Sequence, residues 1–134
     1  MKLALTMLVA LAVAGSAVAA TNNATLTIQH KTHGCHNWTL DGGKTWHVTQ
    51  SITFVRGAVL TVVDNDVMSH KLIQVSGPKA TLVGAAMKHM GATAHVAFKV
   101  KGTYVFKTQA GEDYMKGIKT IGEDNVLKLV VKVA

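Results

Sequence analysis

Hydrophobic and polar residues alternate with a period of two along most of the chain after residue 20. Leu26 and Ile28 alternate with Thr25, Thr27 and Gln29, which is the spacing of a β-strand with one buried face. Similar segments, rich in Val, Thr, Ile and aromatic residues, recur at residues 38–40, 44–49, 52–55, 58–63, 71–75, 80–83, 93–100, 103–107 and 126–133. The pattern predicts an all-β chain with almost no helix.

The strands predicted from this pattern are short and closely spaced, with Gly- and Pro-containing turns between them. Arg56-Gly57, Ser76-Gly77-Pro78 and Lys101-Gly102 separate consecutive segments. Many short strands at such intervals are typical of a β-sandwich or a barrel. Residues 84–91 and 109–125 do not follow the strand pattern, and we expect two long loops there, where functional residues tend to lie.

Residues 1–19 have the features of a secretory signal peptide. Lys2 precedes an apolar run from Leu3 to Val13, and the segment ends in small residues at Ala17-Val18-Ala19. The apolar run is shorter than a membrane-spanning helix requires, and Ser16 stands where a lipoprotein signal would need Cys. We therefore expect a periplasmic or secreted protein without stable membrane insertion, with one domain over residues 20–134.

The chain is basic, with a formal net charge of +7 from 14 basic and 7 acidic residues. Its lysines are scattered and form no block. In an exported protein this favours an acidic protein partner or an anionic surface over nucleic acid. A basic surface that only keeps the protein in solution is the other interpretation.

The stretch HKTHGCHNW at residues 30–38 contains three of the seven histidines and the only cysteine. With one cysteine, no disulfide can form within the chain, so in an oxidising compartment Cys35 is free, bonded to another chain or bound to a ligand. Cys, His and Met are donors that suit copper. Zinc is an alternative, although the paired CxxC or HxxxH spacing typical of zinc sites is missing.

Two further segments resemble the cupredoxin (blue copper protein) family. FVRGAVLTVVDNDVMSHKL at residues 54–72 is similar to the family's strand and Asn-containing loop before the first copper-binding His, and GTYVFKT at residues 102–108 is similar to the strand that leads to the rest of the site. The resemblance implies a cupredoxin-like Greek-key β-sandwich with His70 as the first imidazole ligand. The loop after the second segment departs from the family, because Thr108 stands at its Cys position and Gly111 where its second His is often found.

The resemblance also implies where the missing ligands come from. In the cupredoxin sandwich the first strand runs parallel to the strand that leads to the first His, so the loop after strand one should lie beside His70. We predict a rearranged copper site with Cys35 as thiolate, and with His70 and one of His36 or His33 as imidazoles. A methionine would be the axial ligand, and the same topology brings a further group within reach, namely Met87, His89, Met90 and Met115.

Each candidate has a simpler interpretation. Cys35 fits a small buried side chain, the methionines fit core positions, and His70 fits a hydrogen-bonded residue at the end of a loop. His30, His47 and His95 lie within strand patterns and are interpreted as structural or surface residues.

The sequence lacks the motifs of common enzymes. It contains no GxSxG, P-loop or HExxH motif, and we predict a protein that is not an enzyme. Three hypotheses remain: a one-electron copper carrier, a periplasmic copper-sequestering or copper-delivery protein, and a metal-free β-sandwich that binds other proteins. The expected partner is an acidic redox protein or a copper-handling protein.

Overall fold

The computed structural model describes residues 20–32, 35–119 and 125–134; the predicted signal peptide, residues 1–19, lies outside this part. Within it the chain forms nine strands: β1 Thr21–Thr32, β2 Cys35–Thr39, β3 Thr49–Asp64, β4 Met68–Ser76, β5 Thr81–Val83, β6 Ala86–Met87, β7 Thr93–Phe98, β8 Gly102–Asp113 and β9 Lys128–Val133. No helix in these ranges is long and apolar enough to cross a membrane.

The long strand β3 belongs to both layers of the fold. Its second half pairs in parallel with β1 and antiparallel with β7, giving one layer in the order β2-β1-β3-β7-β5. Its first half pairs in parallel with β9, giving a second layer in the order β3-β9-β8-β4-β6. Gly57, with φ of +87°, lies between the two halves, and a glycine there permits a backbone bend that other residues resist.

The core lies between these layers and follows the alternation seen in the sequence. In β3, Leu60 and Val62 are fully buried, while Val59 beside them is exposed. Phe98 is the centre of an aromatic group, with ring centroids 5.3 Å from Phe54, 5.0 Å from Tyr104 and 6.0 Å from Phe106. This arrangement confirms the predicted all-β fold with a β-sandwich architecture.

The strand boundaries differ from the prediction in several places. Residues 52–55 and 58–63 form one continuous strand, and β6 lies inside the predicted loop 84–91. Strand β8 continues to Asp113, inside the predicted loop 109–125, because its last residues pair with β4, as in Ala110 with His70. Of the predicted strand at residues 44–49, only Thr49 belongs to a strand, as the first residue of β3, and His47 forms a single bridge with Trp38. Pairing with a neighbouring strand extends β8 where the local sequence is too polar to suggest it.

The parallel pairing of β1 and β3 brings several chain segments to one end of the sandwich. Both strands end there, and the backbone N–H of Asn65 donates to Ile28 O at 2.9 Å. The loop before β7 joins them through Gly91 N–H, which donates to Asp64 O at 2.7 Å. The loop after β8 joins through Tyr114 N–H, which donates to Val67 O at 3.0 Å. We call this end the site pole.

Candidate metal centre

Asp66, in the loop between β3 and β4, is the residue around which the site pole is organised. Its side chain is buried, and Oδ2 lies 2.6 Å from Nδ1 of His36 and 2.8 Å from Nε2 of His70. Its other oxygen, Oδ1, accepts the backbone N–H of Val67 at 2.6 Å. One carboxylate therefore faces two imidazoles while a neighbouring backbone group fixes its orientation.

A third imidazole adjoins this pair. His30 in β1 is the cross-strand partner of His36 in β2, and their ring centroids are 5.8 Å apart. The rings of His36 and His70 meet edge to face with centroids 4.8 Å apart. We call His30, His36, Asp66 and His70 the histidine cluster.

Short-range hydrogen bonds shape the loop that presents Asp66. Strand β3 ends at Asp64, whose Oδ1 accepts the backbone N–H of Asp66 at 3.0 Å. Such an Asp side chain replaces a strand partner and turns the backbone. The chain then enters β4, so that Asp66 and His70 face each other four residues apart.

His36 is also held from the far end of the sequence. Oδ1 of Asn125 accepts the backbone N–H of His36 at 2.5 Å, and Nδ2 of Asn125 donates to the backbone O of His36 at 2.8 Å. The amide side chain thus pairs with both backbone groups of one residue, as a neighbouring strand would. Asn125 lies just before β9, the last strand, so a residue near the end of the chain holds the backbone of His36 in the second strand.

The two buried carboxyl groups of this loop are in opposite electrostatic situations. Burial would raise the pKa of Asp66, but the hydrogen bonds and charges of His36 and His70 outweigh it and hold the pKa well below its usual range. For Asp64, burial dominates and raises the pKa to about 7, with the charge of Asp66 acting in the same direction. Asp66 therefore carries a buried negative charge, which favours a cation at this position.

The donors of the cluster fit a metal ion. Nδ1 of His70 is buried and has no hydrogen-bond partner among the described residues, so an ion would satisfy a polar atom that the described part of the chain leaves unpaired. His70 also contacts a carboxylate through its other nitrogen, an arrangement common for histidines that bind metals. His30, His36 and Asp66 each offer one donor atom, and these three atoms lie within 4.8 Å of one another.

The structure brings some of the predicted ligands together. His36 and His70 touch the same carboxylate oxygen, and Met87, fully buried in β6, is the strand partner of His70.

Three other predicted residues lie at the surface of the site pole. His89 is exposed in the loop before β7, with its Nδ1 3.1 Å from Met90 O. Met90 is 45% exposed and Met115 38% exposed.

The remaining two predicted ligands lie beyond what the structure tests. Cys35 begins β2 with its backbone opposite Thr32, but its side chain is outside the described part, as is the whole of His33. Cys35 as a thiolate ligand stays a prediction.

The sequence interpretation did not include Asp66 and His30 in the site. A signal for His30 existed, because it continues the alternation of Leu26 and Ile28 and so belongs to the core-facing side of β1. The spacing of Asp66 and His70 carried no comparable signal, since only the conformation of the loop makes them face each other.

A scan against protein-family models gave no match, and neither did a search of curated proteins. Among solved structures, the chain is similar to the purple cupredoxin from Nitrosopumilus maritimus, with 12% identity, 83% of this chain and 99% of that chain covered, and a TM-score of 0.43. It is also similar to rusticyanin from Thiobacillus ferrooxidans, with 12% identity, 86% of this chain and 79% of that chain covered, and a TM-score of 0.41. A third similar structure is the cysteine protease inhibitor EhICP2 from Entamoeba histolytica, with 12% identity, 84% of this chain and 97% of that chain covered, and a TM-score of 0.35. Likeness at this level carries no argument, and the description of the β-sandwich rests on the strand order and register above.

Proposed function

We propose that the protein is an exported copper-binding protein that carries one electron, with its centre at the site pole. The observation that supports this best is the contact of His36 and His70, from two different strands, with one buried carboxylate oxygen. Met87 lies opposite His70 in the neighbouring strand and adds a thioether. Imidazole and thioether are donors that copper accepts in both oxidation states.

In this proposal His36 and His70 are the imidazole ligands, Met87 is the thioether ligand and Cys35 is the thiolate ligand. Bound copper would supply the one-electron oxidation and reduction. The protein's own contribution is a rigid frame: His36 is held by Asn125 and Asp66, and His70 lies within β4. A frame that holds its ligands in one geometry lowers the reorganisation that accompanies a change of oxidation state.

Copper titration of the purified protein tests this proposal. We expect Cu(II) to bind in a one-to-one ratio with a visible and paramagnetic-resonance spectrum, and His36→Ala and His70→Ala each to lower the affinity by about 100-fold or more, because each removes a ligand. His95→Ala is the matched control, since His95 is an exposed strand histidine that contacts Thr61. A parent protein that binds no copper would contradict the proposal and favour the metal-free interaction module.

Copper sequestering or delivery is a second candidate function. It is supported by the exposure of Met90 and Met115 beside His89 at the site pole, because accessible thioethers suit the capture and transfer of Cu(I). Met90→Leu with Met115→Leu should then slow the exchange of Cu(I) with a chelator. If the parent binds Cu(I) tightly but gives no coloured Cu(II) complex, this candidate replaces the electron carrier.

A further inference from the structure

We propose that Asp66 and His30 are ligands of the ion together with His36, and that they make the centre prefer a divalent cation, Cu(II) or Zn(II), to Cu(I). This inference rests on the proposed function, because it concerns the ion at the site pole, but it places that ion on the Asp66 side of the cluster. There Oδ2 of Asp66 is a ligand, and His70 holds the carboxylate in place through Nε2. It adds an oxygen donor and a further imidazole that the cupredoxin resemblance does not supply.

The positions of the donor atoms are the first argument. The donor atoms of His30, His36 and Asp66 lie within 4.8 Å of one another, and Nδ1 of His36 is 2.6 Å from Oδ2 of Asp66. Two donors bound to one ion at about 2.0–2.2 Å stand roughly 3 Å apart, so His36 and Asp66 need to move by only a few tenths of an ångström. His30 is half-buried at the edge of the cluster, and its ring centroid is 5.8 Å from that of His36.

The proton between His36 and Asp66 has a defined fate. Nδ1 of His36 and Oδ2 of Asp66 are 2.6 Å apart, a separation at which the two atoms share a proton in the metal-free protein. When the ion binds, it takes the place of that proton, which leaves to solvent, and both atoms keep a lone pair directed at the ion. Metal binding at such sites generally releases protons in this way.

Charge and donor type decide which ion the site prefers. Asp66 is buried, and its negative charge attracts a doubly charged ion more strongly than a singly charged one in a medium of low dielectric constant. Carboxylate oxygen is also a harder donor than thioether or thiolate, and imidazole suits Cu(II) and Zn(II). Nε2 of His70 contacts the same carboxylate oxygen at 2.8 Å, so the oxygen is held in place from a second direction.

The test compares Cu(II), Zn(II) and Cu(I) affinities of the full chain by competition with chromophoric chelators. We expect Asp66→Asn to lower the affinities for Cu(II) and Zn(II) by about 100-fold or more and the affinity for Cu(I) by less than about tenfold. Removing a residue that only supports a ligand typically lowers metal affinity by about 10- to 100-fold, so a larger loss indicates that Asp66 is itself a ligand. The copper reduction potential should rise in this variant, since its oxidised form loses more stability. Glu112→Gln is the matched control and should leave all three affinities unchanged, because it removes an exposed carboxylate outside the histidine cluster.

A second variant keeps the test decisive if Asp66→Asn does not fold. His30→Gln removes an imidazole from a half-buried position, and it should lower the Cu(II) and Zn(II) affinities at least tenfold while His95→Gln leaves them unchanged. Equal losses of Cu(I) and Cu(II) affinity in Asp66→Asn, or no loss in either variant, would overturn the inference and leave copper binding intact. A parent protein that binds none of the three ions would overturn the proposed function as well.

Discussion

At the scale of single residues, two acids in one short loop differ because of what surrounds them. Asp66 faces two imidazoles and accepts the backbone N–H of Val67, whereas Oδ2 of Asp64 is buried with no hydrogen-bond partner among the described residues. The first environment stabilises a carboxylate and the second stabilises a neutral carboxyl group. The ionised state of Asp66 depends on His36 and His70, which β2 and β4 supply. The neutral state of Asp64 depends on its burial.

The raised pKa of Asp64 predicts a stability that depends on pH in the metal-free protein. Below pH 4 the group is protonated in the folded and the unfolded chain; between pH 4 and about 7 only the unfolded chain releases the proton, so folding becomes less favourable as pH rises. Asp64→Asn should remove this dependence. The variant should gain up to about 4 kcal/mol relative to the parent between pH 4 and pH 8, because each pH unit between the unfolded and folded pKa of Asp64 corresponds to about 1.4 kcal/mol.

Urea unfolding of both proteins at pH 4, 6 and 8 measures this difference. The asparagine retains the oxygen that accepts the backbone N–H of Asp66, so the loop keeps that hydrogen bond. If the free energy of unfolding changed with pH in the same way in both proteins, Asp64 would ionise in the folded chain as it does in the unfolded chain, and the prediction would be wrong.

Cys35 carries a separate prediction, because it is the only thiol in the chain. Loading with Cu(II) should give an intense thiolate-to-copper charge-transfer colour that Cys35→Ser removes, since a hydroxyl is a poor copper ligand beside a thiolate. Thr108→Ser is the control at the family's Cys position and should keep the colour. An unchanged spectrum in Cys35→Ser would show that the cysteine is no ligand.

At the scale of the elements, the short strand β2 depends on partners from elsewhere in the chain. It has five residues and pairs with β1 along one edge, and on the backbone of His36 the side chain of Asn125 adds two hydrogen bonds. As an edge strand, β2 has a ladder on one side only, and these two hydrogen bonds pair backbone groups that its open edge would leave without a strand partner. The position of His36 is therefore set in part by a residue 89 positions later.

Asn125→Ala should weaken both folding and metal binding. Losing the two hydrogen bonds should lower the free energy of unfolding by about 1–3 kcal/mol, and a less restrained His36 should lower the Cu(II) affinity. Thermal unfolding and copper titration measure the two effects, with the exposed Asn22→Ala as the control. A stability loss with unchanged copper affinity would limit Asn125 to holding β2.

At the scale of the whole molecule, the chain carries an excess of positive charge. The formal net charge is +7, and the exposed residues Lys71 and Lys88 directly follow His70 and Met87 in sequence. These lysines lie close to the proposed centre, where they would attract an acidic partner.

We therefore expect the rate of electron transfer to an acidic partner to fall steeply as salt increases from about 10 mM to 500 mM, because screening shortens the range of the attraction. Stopped-flow kinetics with Lys71→Gln and Lys88→Gln would measure the effect, with Lys132→Gln on β9 as the control. A rate that does not depend on salt would indicate docking through an uncharged surface.

The sequence by itself determined the all-β fold and indicated that the end of the first strand lies beside the segment that contains His70. Alternation predicted one buried face for the first strand, and Leu26 and Ile28 are fully buried, because a strand sends successive side chains to opposite faces whatever it pairs with. The resemblance around His70 then implied that the end of β1 would lie beside it, and the parallel register of β1 and β3 has this arrangement.

Only the tertiary structure decided which polar groups meet. The contact of Asp66 with His36 joins residues 30 positions apart through a loop whose conformation depends on the side chain of Asp64, and the contact of Asn125 with His36 spans most of the domain. The extension of β8 to Asp113 likewise depends on pairing with β4. Periodicity reports only which face of an element is buried, whereas hydrogen bonds between distant segments depend on atomic positions that exist only once the sandwich has formed.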